Sequence, residues 1–171
     1  YTADGIKRRM MYKEADGSGN PVPTVYCCNV VYENGVQKLL LTEEGYVTLS
    51  DGKYHYYLKD HQGNNRVVIN QSGTVEEANH YYPFGGVFAS SGNVQPYKYN
   101  GKEYDGKKGL NWYDYGARHY DAALGRFTTN DRFSEKYHSL SPYQYGANNP
   151  VNTIDINGDS LLIVTPAAIE A

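Results

Sequence analysis

Turn pairs recur at short intervals through the first half of the chain: Asn34-Gly35, Glu44-Gly45, Asp51-Gly52, Gln62-Gly63 and Ser72-Gly73. Asn-Gly and Asp-Gly connections favour tight hairpins, because both central residues take φ > 0 at little cost. The runs between the pairs are TVYCCNVVYE, VQKLLLTE, YVTLS, KYHYYLKD, NRVVINQ and TVEEANHYY. Most are too short for a stable helix and suit strands. The expected fold is therefore mainly β, with consecutive antiparallel hairpins over residues 22–84.

Ahead of this meander, residues 1–21 read as a partial strand and a flexible loop, the loop carried by ADGSGNP at 15–21. Behind it, YYPFGGVF closes the meander and SSGNVQP at 90–96 reads as an exposed loop, so a hairpin strip occupies 22–96. Residues 97–158 have a different texture, in which KYNGKEYD meets a Gly-Lys-Lys-Gly turn at 106–109 and then LNWYDYGARHYDAALGRF. Mixed aromatic periods there predict a small irregular region of short strands and tight turns. Ser141-Pro142 predicts one helical turn. Residues 159–171 follow this region and, on the family resemblance given below, are the start of a downstream segment.

Nineteen tyrosines against four phenylalanines make the chain unusual. Tyr joins a large apolar face to a hydroxyl that needs a partner. It suits positions that pack on one side and meet water or backbone on the other, as in a thin sheet wall. Sixteen basic and nineteen acidic residues give a net charge of −3, which excludes a general attraction to nucleic acid or an anionic membrane. The stretch LLIVTPAAI at 161–169 is short of a membrane span and contains Pro166, so no membrane insertion is expected. The chain opens at Tyr1 without a basic or apolar leader and reads as a fragment of something longer. Cys27 and Cys28, adjacent on an expected strand, point to opposite faces and are expected to be ordinary buried thiols.

Among familiar catalytic patterns there is no Gly-x-Ser-x-Gly, no HExxH and no phosphate-binding loop with its Lys. Histidines 55, 61, 80, 119 and 138 show no ligand spacing, so neither metal nor other cofactor is expected. Two aspartates in similar turn-like contexts remain, Asp131 in TTNDRFS and Asp155 in NTIDING. Carboxylates forced together share a proton; one then serves as base on a water while the other polarises a carbonyl. The alternative is that both are turn formers bonding local N–H groups, as Asp commonly does. Arg118 and Arg126 invite a similar choice. Either could brace the 97–158 region by stacking on Tyr or pairing with Asp114 or Asp121, and Arg126 could orient a catalytic carboxylate.

The segments YKYNGKEYD, GLNWYDYGARHYDAALGRF, TTND and NNPVN resemble the Rhs-repeat-associated core of the YD-repeat (Rhs) family. Tyr56, Tyr57, Asp60, Gly63, Arg66 and the Val67–Ile69 run follow the order of one YD repeat. The resemblance covers residues 54–158, or 25–158 with weaker repeats. It implies a strip of a hollow β shell, secreted or at a cell surface, whose core domain plugs one end. The implied partners are the remainder of the shell and an encapsulated C-terminal toxin. It also implies aspartyl-type autoproteolysis by two Asp residues, each in an Asp-Pro-x-Gly motif, which fall here on Asp131 and Asp155. Arg126 and Gly158 would support them, and the cut would fall near Gly158, Asp159, Ser160 and Leu161. This chain departs from the motif at Arg132 and Ile156, where the family has Pro, and at Ser134, where it has Gly. Arg132 would place a cation beside Asp131 and work against proton sharing. A non-catalytic shell fragment, or a surface module binding carbohydrate through exposed Tyr and Trp112, are the alternatives.

Overall fold

The computed structural model describes residues 1–2, 5–12 and 21–164. The loop expected at 15–21 lies, apart from Pro21, outside them, as does the tail from residue 165. The described chain divides into two compact units, Tyr1–Tyr57 with Ile69–Thr74, and Leu58–Val68 with the residues from Val75 on.

In the first unit the strands lie side by side in chain order: β1 (Arg9–Met11), β2 (Pro23–Cys27), β3 (Val30–Glu33), β4 (Val36–Leu41), β5 (Gly45–Thr48) and β6 (Lys53–Lys59). The order follows from the turns. Asn34 and Gly35 connect β3 to β4 with φ of 49° and 76°, the paired positive values that a two-residue hairpin needs. Val31, Tyr46 and Val47 are buried, and Tyr46 stacks on His55 at 4.4 Å, its antiparallel partner across β5 and β6. Cys28 is not on a strand. It sits in the β2–β3 turn with φ 53°, which lifts it off either face of the sheet, while Cys27 ends β2; both are exposed free thiols.

The boundary crosses β6 after Tyr57 and β7 (Asn65–Asn70) after Val68. In the second unit β7, β8 (Val75–Tyr81) and β9 (Val87–Ser91) again run in chain order. The meander thus continues past residue 84. Pro83-Phe84-Gly85-Gly86 makes a hairpin turn closed by Tyr82 N–H to Gly86 O at 2.8 Å, and Ser90 and Ser91 belong to a strand. The repeat turn at 60–66 shows why its residue types are needed. Asp60 Oδ1 accepts the N–H groups of Gln62 and Asn64 at 3.0 and 3.1 Å, while Oδ2 accepts Asn64 Nδ2 and Arg66 Nε at 2.9 and 2.7 Å. The Arg66 guanidinium then lies over the Tyr81 ring, 5.3 Å from its centroid.

The plug is a four-stranded antiparallel sheet, β10 (Glu103–Asp105), β11 (Trp112–Asp114), β12 (His119–Asp121) and β13 (Arg126–Phe127), with a separate hairpin of β14 (Thr153–Asp155) and β15 (Leu161–Ile163). Its register aligns one aromatic per strand, Tyr104 opposite Tyr113, Tyr113 opposite Tyr120 and Tyr120 opposite Phe127. With Tyr81, Tyr99, Tyr115 and Tyr145, three of these four form the buried core; Tyr104 packs against it. The tyrosines therefore do more than line a wall. They are the interior, and this is possible because each buried hydroxyl donates to a fixed acceptor. Tyr99 gives to Pro83 O at 2.8 Å, Tyr120 to Phe84 O at 2.8 Å and Tyr113 to Gly85 O at 3.0 Å, so one turn absorbs three phenols. Tyr115 and Tyr145 both give to Asn100 Oδ1 at 2.6 Å. Burial pushes the Tyr99 pKa up to about 12, and the same cause raises that of its neighbours. The helical turn expected at Ser141 is a single β-turn closed by Gln144 N–H to Ser141 O at 3.0 Å. Tyr145 is extended (φ −112°, ψ 131°), and a left-handed turn follows at Gly146–Asn148, with φ of 54°, 50° and 58°.

Burial raises the Asp60 pKa, but the bonds from Asn64, Arg66 and the Gln62 and Asn64 backbone outweigh it and hold the carboxyl below its usual 3.8. Its stabilising contribution is then complete above the ordinary carboxylate pKa and is lost as pH falls through the lowered folded value. Replacing Asp60 by Ala in the full-length protein should cost about 1–3 kcal/mol in urea unfolding at neutral pH, with the difference narrowing in acid. A cost under about 0.5 kcal/mol, the scatter of ordinary surface changes, would contradict this account of the turn.

Candidate functional site

Asp131, Asp155 and Gly158 meet in the second unit around Arg118, whose partners the sequence does not reveal. It stands at the end of the β11–β12 hairpin loop. Asp114 Oδ1 turns that loop by accepting Gly116 N–H at 2.9 Å, and Tyr115 N–H closes it onto Arg118 O at 3.1 Å. Ala117 N–H donates to Asn157 O at 3.0 Å, which fastens the loop to the chain just after Asp155. The Arg118 side chain is then buried, its guanidinium carbon 3.7 Å from the Phe127 ring centroid.

One nitrogen of that guanidinium serves both acids. Arg118 Nη2 lies 3.0 Å from Asp131 Oδ2 and 3.6 Å from Asp155 Oδ2. Nη1 donates to Pro142 O at 3.1 Å, and Nε donates to Gly158 O. The other oxygen of each aspartate holds its own turn. Asp131 Oδ1 accepts Phe133 N–H at 2.7 Å, and Asp155 Oδ1 accepts Gly158 N–H at 2.5 Å. Turn-forming and pairing are thus divided between the two oxygens of each carboxylate, so the two readings of these aspartates describe different atoms. Both acids are buried, at 6% and 5% exposure, and lie 24 residues apart in sequence, Asp131 after β13 and Asp155 at the end of β14.

Burial pushes the Asp155 carboxyl above 3.8, against the opposing bonds from Gly158 N–H and the charge of Arg118. Burial also lowers the Arg118 pKa, with Asp131, Asp155 and Asp159 opposing; the guanidinium remains a cation at any physiological pH. The site therefore contains a carboxylate in direct ion pair with Arg118, at Asp131, beside a carboxyl that burial shifts toward its acid form, at Asp155. Gly158 fits only as glycine: its φ is 88°, and a Cβ there would stand 2.9 Å from the Arg118 backbone nitrogen.

The cation beside Asp131 is Arg118 and not Arg132, which turns away and pairs with Asp159. Arg118 in turn contacts neither Asp114 nor Asp121 as an ion-pair partner; its pairs are Asp131 and Asp155. Arg126 is exposed on β13 and donates to Asn148 Oδ1 at 3.2 Å. Asp159 is buried, and Ser160 donates to its Oδ1 at 3.0 Å, while Leu161 begins β15 opposite Asp155. Ile156 N–H to Ser160 O at 2.9 Å closes the hairpin, so residues 158–161 lie folded back on Asp155. Trp112, proposed for a glycan platform, is half-buried and gives its indole N–H to Asp121 Oδ2 at 3.3 Å.

A strip of antiparallel hairpins with Asp-anchored turns, leading to a tyrosine-cored plug, defines a segment of a YD-repeat shell. The chain belongs to the family described as Teneurin YD-shell, which it matches over residues 34–165. It is 34% identical over 157 residues to Salivary gland surface protein 1 of Aedes aegypti, covering 90% of this chain and 4% of that protein. The crystal structure of TcdB2-TccC3 is similar to it with a TM-score of 0.74 and 21% identity, over 92% of this chain and 9% of that one. TcdB2-TccC3 crystallised without its hypervariable C-terminal region is similar with a TM-score of 0.75 and 20% identity, over the same shares. At these identities the structural likeness is one of fold. The chain spans less than a tenth of the length of each of these relatives.

Replacing Arg118 by Met should leave two buried acids without their cation, and should destabilise the full-length protein by about 3–5 kcal/mol at neutral pH. The loss should shrink in acid, where both acids are neutral. A loss that does not change with pH would mean that packing on Phe127, and not charge, is what Arg118 contributes.

Proposed function

We propose that this segment is the end of a shell that encloses the polypeptide following it, and that its aspartate pair severs the chain just beyond the plug. The observation that carries the reading is the pair of distances from one Arg118 nitrogen to both carboxylates, 3.0 and 3.6 Å. Shell membership supports the enclosing role, since TcdB2-TccC3, similar in fold, carries a hypervariable C-terminal region. The partners are the rest of the same shell and the enclosed C-terminal segment, a toxin where the protein is an effector, at a secreted or surface location.

In this reading Asp131, ion-paired with Arg118, removes a proton from a water, whose oxygen bonds to the scissile carbonyl carbon. Asp155, as the acid, gives its proton to the carbonyl oxygen. The tetrahedral centre then collapses. The C–N bond breaks, the amine leaves with the proton held on Asp131, and the diol returns a proton to Asp155. The carbonyl oxygens of residues 158–161 belong to the hairpin folded back on Asp155, which supplies the proximity such a reaction needs.

A second reading, a shell segment without chemistry, draws on the turn bonds made by the two Oδ1 atoms. The two separate cleanly. In the full-length protein, intact-mass measurement should find an N-terminal product ending within Gly158–Leu161. Asp131→Asn or Asp155→Asn should each slow its formation by about 10²-fold or more, since each removes an acid–base partner. Because the Asp155 pKa is raised and its acid form is the active one, the rate should fall as pH rises through that value. An uncut full-length protein at every pH would leave the non-catalytic reading in place.

A further inference from the structure

The loops that follow the two aspartates are joined by a second ion pair. Arg132, directly after Asp131, places its Nη2 on Oδ2 of Asp159, four residues past Asp155. The side chain of Asp159 is 2% exposed, while that of Arg132 is 66% exposed and lies over the Phe133 ring with its guanidinium carbon 4.8 Å from the centroid. Lys136 Nζ covers the same ring at 4.4 Å. A buried carboxylate is costly unless paired. The partners of Asp159 are Arg132, the Ser160 hydroxyl and the charge of Arg118.

We propose that Arg132 is a positioning residue: with Asp159 it forms a clasp that holds the chain leaving the plug, residues 158–164, against the aspartate pair. Three features support it. Arg132 is on the Asp131 loop, which is anchored by Asp131 N–H to Pro142 O at 2.9 Å and Phe133 N–H to Asp131 Oδ1 at 2.7 Å. Asp159 is on the β14–β15 hairpin, which is anchored by Ile156 N–H to Ser160 O and by Val164 N–H to Asn152 O at 2.7 Å. The ion pair is therefore a tie between two locally rigid pieces and not within one. It also pairs a third buried carboxylate whose charge acts on Arg118 beside those of Asp131 and Asp155. Loss of Arg132 frees the exit hairpin and draws Arg118 toward Asp159. The catalytic consequence rests on the self-cutting reading above; the mechanical one does not.

The experiment is hydrogen exchange at the Ile156 and Val164 amides in the full-length protein, made uncuttable by Asp131→Asn so that the exit chain stays attached. Arg132→Ala should speed exchange at both amides by about tenfold or more, and Arg132→Lys should restore most of the protection. Raising the salt should speed exchange in the parent and leave Arg132→Ala unchanged. Unchanged exchange on Arg132→Ala overturns the clasp. In the cleavable protein, Arg132→Ala should slow cutting with the product terminus unaltered, and Arg132→Lys should recover it. If the exchange results hold and cutting is absent from the parent protein, the clasp stands and the self-cutting reading fails. If exchange responds and the cutting rate does not, Arg132 secures the hairpin without positioning it, and the proposal is overturned in its catalytic part.

Discussion

A single buried guanidinium governs the plug. Arg118 collects two carboxylates and two backbone carbonyls, each from a part of the chain remote in sequence, and flattens on Phe127. Arginine suits this place because its planar fork directs several donors at fixed angles, whereas lysine presents a point charge. The chain order of the plug follows from that demand. The β11–β12 loop supplies the cation, the segment after β13 supplies Asp131, the Pro142 turn supplies a carbonyl, and the β14–β15 hairpin supplies Asp155 and Gly158. Nothing in the tyrosine core specifies this arrangement directly. The core fixes the sheet, the sheet fixes the loop, and the loop carries Arg118 to the meeting point.

The same local device is reused along the chain with different outcomes. Asp60, Asp114, Asp121 and Asp131 each accept an N–H two residues on, and Asp155 accepts one three residues on. At Asp60 the second oxygen is taken by Arg66 in the same turn, which closes the unit on itself. At Asp131 and Asp155 the second oxygens are met by a distant arginine. A turn former becomes a candidate acid or base when burial and a remote cation act on the oxygen that the turn does not use. At Asp155 burial outweighs the pull of Arg118 and the backbone bonds, so its carboxyl lies above the ordinary carboxylate value.

Much of the meander was legible in the sequence because its signals are local. Asn34-Gly35 and Asp51-Gly52 specify turns from two residues alone, and the runs between them are too short for anything but strands. Where a turn was built differently, reading failed. Pro83 with two glycines masked the continuation into β9, and Cys28 adopted the turn position in the middle of an apolar run. The abundance of tyrosine pointed to half-wet positions, yet Tyr113, Tyr115, Tyr120 and Tyr145 are interior. Their acceptors, the carbonyls of residues 83–85 and the amide of Asn100, are set by tertiary folding and leave no pattern in the sequence. The aspartates stood out by context, and Gly158 by its motif. The partner of each arginine did not, because Arg118 reaches residues 13 and 40 positions away and Arg132 reaches one 27 away. The arginine in GARHY carried one usable signal, a charge set among aromatics in a segment destined for the core.

Asp131 and Asp155 both face one nitrogen of Arg118, which should make them energetically one site. The most direct test is a double-mutant cycle with Asp131→Asn and Asp155→Asn, read from the opening free energy of the Ala117 and Gly158 amides in the full-length protein. Sharing predicts a coupling of about 1 kcal/mol or more between the two substitutions, the size seen for residues in one charge network. Effects that add to within roughly 0.3–0.5 kcal/mol, as for independent sites, would contradict it.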